Sequence, residues 1–396
     1  MSVISRWERR PRPKAGNAPV GKGCREFRLG KKSLFVTASV LGLVLALILV
    51  VFLPPRRLQV IWEAPASELI AAGHGIYALS DKSGLSVWDG SGRVASIPNL
   101  ASDVALGIGC LATLGQGVLQ FAEIAGPNAV VPRWTASCSE DETLLRCEGD
   151  GLVLTTRPAD GLKFGETWIL RAVGPGGSTL WEAPLPGIPQ ALKCSPTTIL
   201  LGLVDLSSGG IPRLEALDRK TGRIAWSRAL MPGLWRGIGF ASTEVAVAAL
   251  DTGISAFGPD GSPLWTWTRE LPVLSALIED QAVCVATPSH GGFGQVLTPY
   301  VIWGISPAGD TIWSRSIRCK PFSLQLWIVR EQTASDRGVA VALSRSCVIA
   351  FSLDTGQIAL SEHTGGQPIA VSAGQILLGQ GPDLRLFVFE LPEIGR

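Results

Sequence analysis

From residue 58 onward, short apolar runs alternate with turns of Gly, Pro, Asp, Asn and Ser. The runs alternate or stay apolar over strand lengths, and none keeps a helical period for the length of a helix. One unit recurs. "ALDRKTGRIAW", Ala216 to Trp226, reads as a strand, a tight polar turn and a second strand ending in Trp. Related stretches are "GLSVWDGSGRVA" (84–95), "AVGPGGSTLW" (172–181), "GISAFGPDGSPLW" (253–265), "GISPAGDTIW" (304–313) and "AFSLDTGQIAL" (350–360). "FAEIAGPNAVVPRW" (121–134) is a weaker copy. The closing positions are 95, 134, 181, 226, 265, 313 and 360, spaced 39 to 48 residues apart. A supersecondary unit of roughly 40–50 residues repeated this often marks a propeller or solenoid.

The segments between the copies complete the unit. "PQALKCSPTTILLGLVD" (189–205) holds two apolar runs split by a Ser-Pro turn, and 240–253 and 276–288 do the same. Two short strands plus the hairpin make four strands per unit, a propeller blade. After Leu360 only three strands remain, while "LQVIWEAP" (58–65) is a lone strand ahead of the first unit. Pairing it with "LRLFVFEL" (384–391) closes the ring by both ends and hides the sheet edges. The expectation is an all-β, eight-bladed β-propeller preceded by one transmembrane helix. Seven blades is the variant reading, because the unit from Glu68 to Ala95 is short.

The pattern changes before residue 58. "SLFVTASVLGLVLALILVVFL", Ser33 to Leu53, is 21 residues without a charge. As a helix it is long enough to cross ~30 Å of hydrocarbon. Ten Lys and Arg precede it and only Arg56 and Arg57 closely follow, so the positive-inside rule puts the N-terminus in the cytoplasm. A cleaved signal peptide would have a shorter apolar region and a small-residue cleavage site. Three regions follow: a basic disordered tail (1–32), a transmembrane helix (33–53) and an extracytoplasmic propeller (58–396). Charge divides the same way. Residues 1–57 carry 12 Lys/Arg and 2 Asp/Glu, and the remainder 23 and 31. The whole-chain net of +2 hides an acidic ectodomain, which argues against a nucleic-acid partner.

Each residue type in the repeat has a physical use. A turn Gly can take the positive φ that a tight hairpin needs. Asp and Ser satisfy turn backbone locally. The flat Trp can fill the gap between adjacent blades, and the 13 tryptophans read as packing before they read as a binding site.

Ala216, Asp218, Thr221, Gly222 and Trp226 match the pattern Ala-x-Asp-x-x-Thr-Gly-x-x-x-Trp. That pattern resembles the tryptophan-docking motif of the pyrroloquinoline-quinone-like (PQQ-like) propeller family. Trp181, Trp265 and Trp313 hold the equivalent place in partial copies, and Asp354, Thr355 and Gly356 keep part of the motif with Leu360 in place of Trp. The resemblance implies a docking girdle, not a quinone site. It also points to the family's non-enzymatic branch, typified by the propeller lipoprotein of the outer-membrane barrel-assembly machinery, a protein-binding scaffold. This chain has an apolar span where that lipoprotein has a lipidated Cys. The quinoprotein dehydrogenases of the family carry a vicinal Cys-Cys pair, and none occurs here.

Little else points to chemistry. His74, His290 and His363 share no metal spacing, and no Gly-x-Ser-x-Gly elbow occurs. "SEDET" (139–143) is acidic enough for weak Ca²⁺ binding and reads more simply as a solvated loop. Of eight Cys, Cys24 lies on the cytoplasmic side of the span; Cys110 and Cys284 sit in apolar runs and read as small core residues. Cys138 and Cys147 flank the acidic loop, and a disulfide between them would clamp it. The expectation is thus a single-pass cell-membrane protein whose propeller binds a protein or envelope partner, with no catalytic, cofactor or metal residue. Two alternatives stand beside it: a membrane-anchored quinoprotein oxidoreductase using PQQ and calcium, and a sensor ectodomain signalling through the span.

Overall fold

The computed structural model describes residues 58–389, apart from short stretches, the longest being 98–102, 160–166, 290–297, 320–324 and 330–338. The tail and the span expected over Ser33–Leu53 lie outside the described residues, as do His74 and His290. Among the described residues no helix is long and apolar enough to cross a membrane.

The described residues form eight four-stranded antiparallel sheets. Sheets 1 to 7 are continuous in sequence: 68–97, 103–137, 143–185, 187–229, 235–267, 275–319 and 325–363. Sheet 8 is composite. Strands Gln367–Ser372, Gln375–Gln380 and Asp383–Phe389 are completed by Leu58–Ala64 from the other end of the described chain. The pairing runs antiparallel from Leu58 opposite Phe389 to Ala64 opposite Leu384. The short unit from Glu68 forms a sheet of four strands.

The first strands carry the sheets around. Those of sheets 1, 2 and 3 touch in turn, as do those of sheets 4 to 8, and that of sheet 8 returns to sheet 1. The core lies between consecutive sheets, not within any one. Leu154, Leu170 and Trp181 of sheet 3 pack with Ile199, Leu201 and Leu203 of sheet 4. Leu200 and Leu214, on the opposite face of sheet 4, pack with Ala246, Ala248 and Phe257 of sheet 5. Ala64 and Leu377 of sheet 8 pack against Tyr77 and Leu79 of sheet 1. Both faces of a strand such as Ile199–Leu203 are therefore buried, which explains runs that stay apolar where a half-solvated sheet would alternate.

One feature of the hairpins escaped the pattern reading. In every hairpin that closes sheets 1 to 7, the register slips by one residue just before the closing position. The extra residues are Val94, Arg133, Leu180, Ala225, Leu264, Ile312 and Ala359. A bulge re-aims the following side chain and sharpens the local twist. Here it sets Trp181 opposite Ala172, Trp226 opposite Ala216 and Trp313 opposite Gly304. The small partner leaves room for the indole.

Candidate functional site

The residues of the docking motif come together between sheets. Trp181 closes sheet 3, and its Nε1 donates to the Arg219 carbonyl in the hairpin turn of sheet 4, at 3.0 Å. Trp226 of sheet 4 donates to Pro259 O of sheet 5 at 2.9 Å. Trp265 of sheet 5 reaches Pro307 O of sheet 6 at 2.7 Å, and Trp313 of sheet 6 reaches Leu353 O of sheet 7 at 2.7 Å. The four indoles make a relay from sheet 3 to sheet 7, each pinned to a turn carbonyl of the next sheet.

Each accepting turn holds a glycine beneath the ring. Gly222 has φ +68°, and a Cβ there would overlap Trp181. A Cβ on Gly261 would lie 2.7 Å from the Trp226 ring, and one on Gly309 2.7 Å from Trp265. The glycine therefore serves two ends. It supplies the left-handed turn of its own hairpin and a flat seat for the previous sheet's tryptophan. In sheets 4 to 6 the same turn then sends its own Trp onward four residues later, as Gly222 does with Trp226.

Asp218 holds the turn that receives Trp181. Its Oδ1 accepts from Thr221 N at 2.8 Å and from Thr221 Oγ1 at 2.7 Å. Those bonds, the hydroxyl first, hold its carboxyl below the usual carboxylate range. Asp260 does the same with Ser262 in the turn that receives Trp226. Ala216, buried in the strand before the turn, pairs with Trp226. Arginines two residues beyond the Trp strengthen the seam: Arg228 donates to Gly261 O at 2.6 Å, and Arg315 to Gly356 O at 3.1 Å. Sequence reasoning missed these arginines, although Trp-x-Arg occurs at both places.

The weak copy behaves as a partial dock. Trp134 stacks on its own sheet's Phe121, centroids 5.4 Å apart and planes at 11°, and its Nε1 is buried without a partner. It still lies over Gly177 of sheet 3.

The acidic loop is not wholly solvated. Ser139, Glu140, Asp141 and Thr143 are exposed, but Glu142 is buried. Both Glu142 oxygens take Arg171 Nη1 at 3.3 Å, Thr155 donates to Oε1, and Ser139 N donates to Oε2 at 3.1 Å. The loop's inward carboxylate is spent on an arginine. Arg171 also lines a shallow depression of about 450 Å³ with Val118, Thr135, Ala136, Ser137 and Gly177.

A second polar cluster lies in sheet 4. Asp205 accepts from Arg213 at 2.9 Å and from Ser207 Oγ at 2.6 Å. Arg213 donates to Ser227 Oγ, and Ser227 to Glu215 Oε1, each at 3.1 Å. Glu215 Oε2 is buried without a partner, and burial pushes its carboxyl above the usual range, against the pull of Ser227 and Arg213.

Cysteine placement bears on one expectation. Cys138 and Cys147 are not bonded to each other in the structure. Residue Cys147 points inward from the first strand of sheet 3, and its Sγ lies 3.7 Å from Cys110 Sγ of sheet 2. The loop's two flanks diverge because Cys147 takes a core position of its strand while Cys138, half-buried, lies just beyond the outer strand of sheet 2. Cys110 and Cys284 are buried among apolar neighbours.

A quinone does not fit the docking residues. Each indole has one face on a glycine turn and its only N–H committed to a carbonyl. Among the described residues, no group of three or more His, Cys, Asp or Glu is placed to hold a metal ion.

The fold is that of a β-propeller, and part of the chain is similar to the PQQ-like family. A family model described as outer membrane protein assembly factor BamB matches residues 212–377, a stretch that includes Thr221, Gly222, Trp226, Trp265 and Trp313. The BamB of Burkholderia pseudomallei is 28% identical over 150 residues, which span 38% of this chain and 37% of that protein. The crystal structure of BamB from Moraxella catarrhalis superposes with a TM-score of 0.50 at 16% identity, covering 84% of this chain and 100% of that one. The quinohemoprotein alcohol dehydrogenase of Comamonas testosteroni superposes at 0.55 with 13% identity, covering 86% of this chain and 78% of that one. At such identities these structures show a shared fold and nothing more.

Proposed function

We propose that this chain is a protein-binding scaffold of the cell envelope: an eight-bladed propeller on the outer side of the membrane, held by one N-terminal helix, and not an enzyme. The observation that carries the reading is the docked girdle. The motif that could have suggested quinone chemistry is consumed in joining sheets. A ring so joined presents loops on two faces of a rigid body, and such surfaces suit recognition. The likeness to BamB, an outer membrane protein assembly factor by name, supports a protein partner in envelope assembly. The uncharged run from Ser33 to Leu53 supports the anchor, and the excess of Lys and Arg before it supports the orientation.

The test is crosslinking in living cells, then detergent solubilisation, purification of the tagged full chain and mass spectrometry. The reading expects a recurrent envelope protein that is lost when residues 58–396 are deleted. Recovery of no protein above an unrelated single-span control would contradict it.

A further inference from the structure

We infer that Cys110 and Cys147 form a disulfide that staples sheet 2 to sheet 3. The two sulfurs are 3.7 Å apart, although 36 residues separate them in sequence and they belong to different sheets. A disulfide bond is about 2.05 Å long, so closure asks for a movement of under ~2 Å. Both side chains sit in the core shared by the two sheets, with 1% and 0% exposure. The space they share is kept open by a glycine. A Cβ on Gly107 would lie 2.7 Å from Cys110 Sγ and 2.6 Å from the Cys147 carbonyl oxygen. Gly107 has no positive φ to explain it, so the room is its use.

The staple falls where the tryptophan dock is only partial. Sheets 3 to 7 are pinned by indole-to-carbonyl bonds, whereas the indole N–H of Trp134, which should pin sheet 2 to sheet 3, has no acceptor. A covalent link at that interface supplies the joint the degenerate motif omits.

The chemistry balances with a disulfide oxidant, such as an oxidised dithiol protein or glutathione disulfide. The Cys110 thiolate attacks one sulfur of the oxidant and releases the other as a thiolate. The Cys147 thiolate then attacks Cys110 Sγ of the mixed disulfide and expels the second thiolate. Two thiol protons are lost, two cysteines are oxidised, and one disulfide is reduced. Burial of both sulfurs means the exchange happens before the sheets close, and that the finished bond resists reduction.

The test uses the full chain, synthesised cell-free with phospholipid vesicles in a glutathione buffer poised oxidising. Free thiols are trapped with N-ethylmaleimide, and the chain is digested without reductant. The expected result is a peptide pair joining Cys110 to Cys147. The pair should be lost in C110A and in C147A and kept in C138A and C194A, and the wild type should resist proteolysis longer before reduction than after. Cys110 and Cys147 both alkylated in the wild type, or Cys147 joined to Cys138 or Cys194, would overturn the inference. The wild-type peptide map decides even if an alanine variant folds poorly.

Discussion

Trp181 lies flat on Gly222, one sheet further along the chain, where a Cβ would overlap the indole. Its N–H reaches the carbonyl of Arg219 in the same turn. Two demands meet at Gly222, a φ of +68° and a bare seat. Alanine there adds about 1–2 kcal/mol of left-handed backbone cost and an overpacking cost of about 1–3 kcal/mol. Gly209, at φ +79° with nothing near its missing Cβ, is the control. G222A should lose roughly twice as much stability as G209A or more, by denaturant midpoint. Equal losses would mean that the indole seat contributes nothing.

The hydrogen bond and the packing of a docked Trp separate by substitution. Trp226→Phe keeps an aromatic seat over Gly261 and loses the 2.9 Å bond to Pro259 O. The bond is worth about 1 kcal/mol, and Trp226→Ala should cost about 3–5 kcal/mol. Trp134→Phe should cost less than Trp226→Phe, because its N–H has no partner to lose. Urea unfolding of the three variants checks the order.

Glu142 and Arg171 form the most buried ion pair of those described, with side-chain exposures of 1% and 13%. Removing one member strands the other, at a cost of about 3–5 kcal/mol. Arg171→Met should therefore destabilise strongly. The double variant Glu142→Leu with Arg171→Met should recover much of that loss, because an apolar pair carries no desolvation cost. A double variant as unstable as the sum of the singles would show that Thr155 and Ser139, not Arg171, hold the carboxylate.

Glu215 gives a pH signature. Its folded carboxyl is raised above the unfolded value by burial, so between the two values the folded state holds more protons. This contribution is complete below the unfolded value and is lost as pH rises through the folded one. Glu215→Gln should gain on the wild type as pH rises from about 4 to about 7. A stability difference that stays flat with pH would refute the assignment.

Much of the fold was legible because its unit is local. The turn and its closing position recur every 39 to 48 residues, and the strand missing at one end stands unpaired at the other, as the Leu58–Phe389 pairing bears out. Which residue the Trp seats on was not legible. Trp226 and Gly261 are 35 residues apart, and their meeting depends on sheet stacking and on a one-residue bulge with no sequence mark of its own. The surroundings of the cysteines were not legible for a related reason. Cys138 and Cys147 are close in sequence, but strand direction sends Cys147 into the core beside Cys110. The buried side of the acidic loop was hidden too, since nothing in "SEDET" singles out Glu142 as the residue Arg171 neutralises.

The central claim is that the tryptophan motif holds sheets together and does not hold a quinone. The direct measurement is calorimetric titration of the full chain, in detergent, with pyrroloquinoline quinone and Ca²⁺. The claim predicts no saturable heat. A saturable one-to-one isotherm that W226F weakens while leaving the fold intact would contradict it.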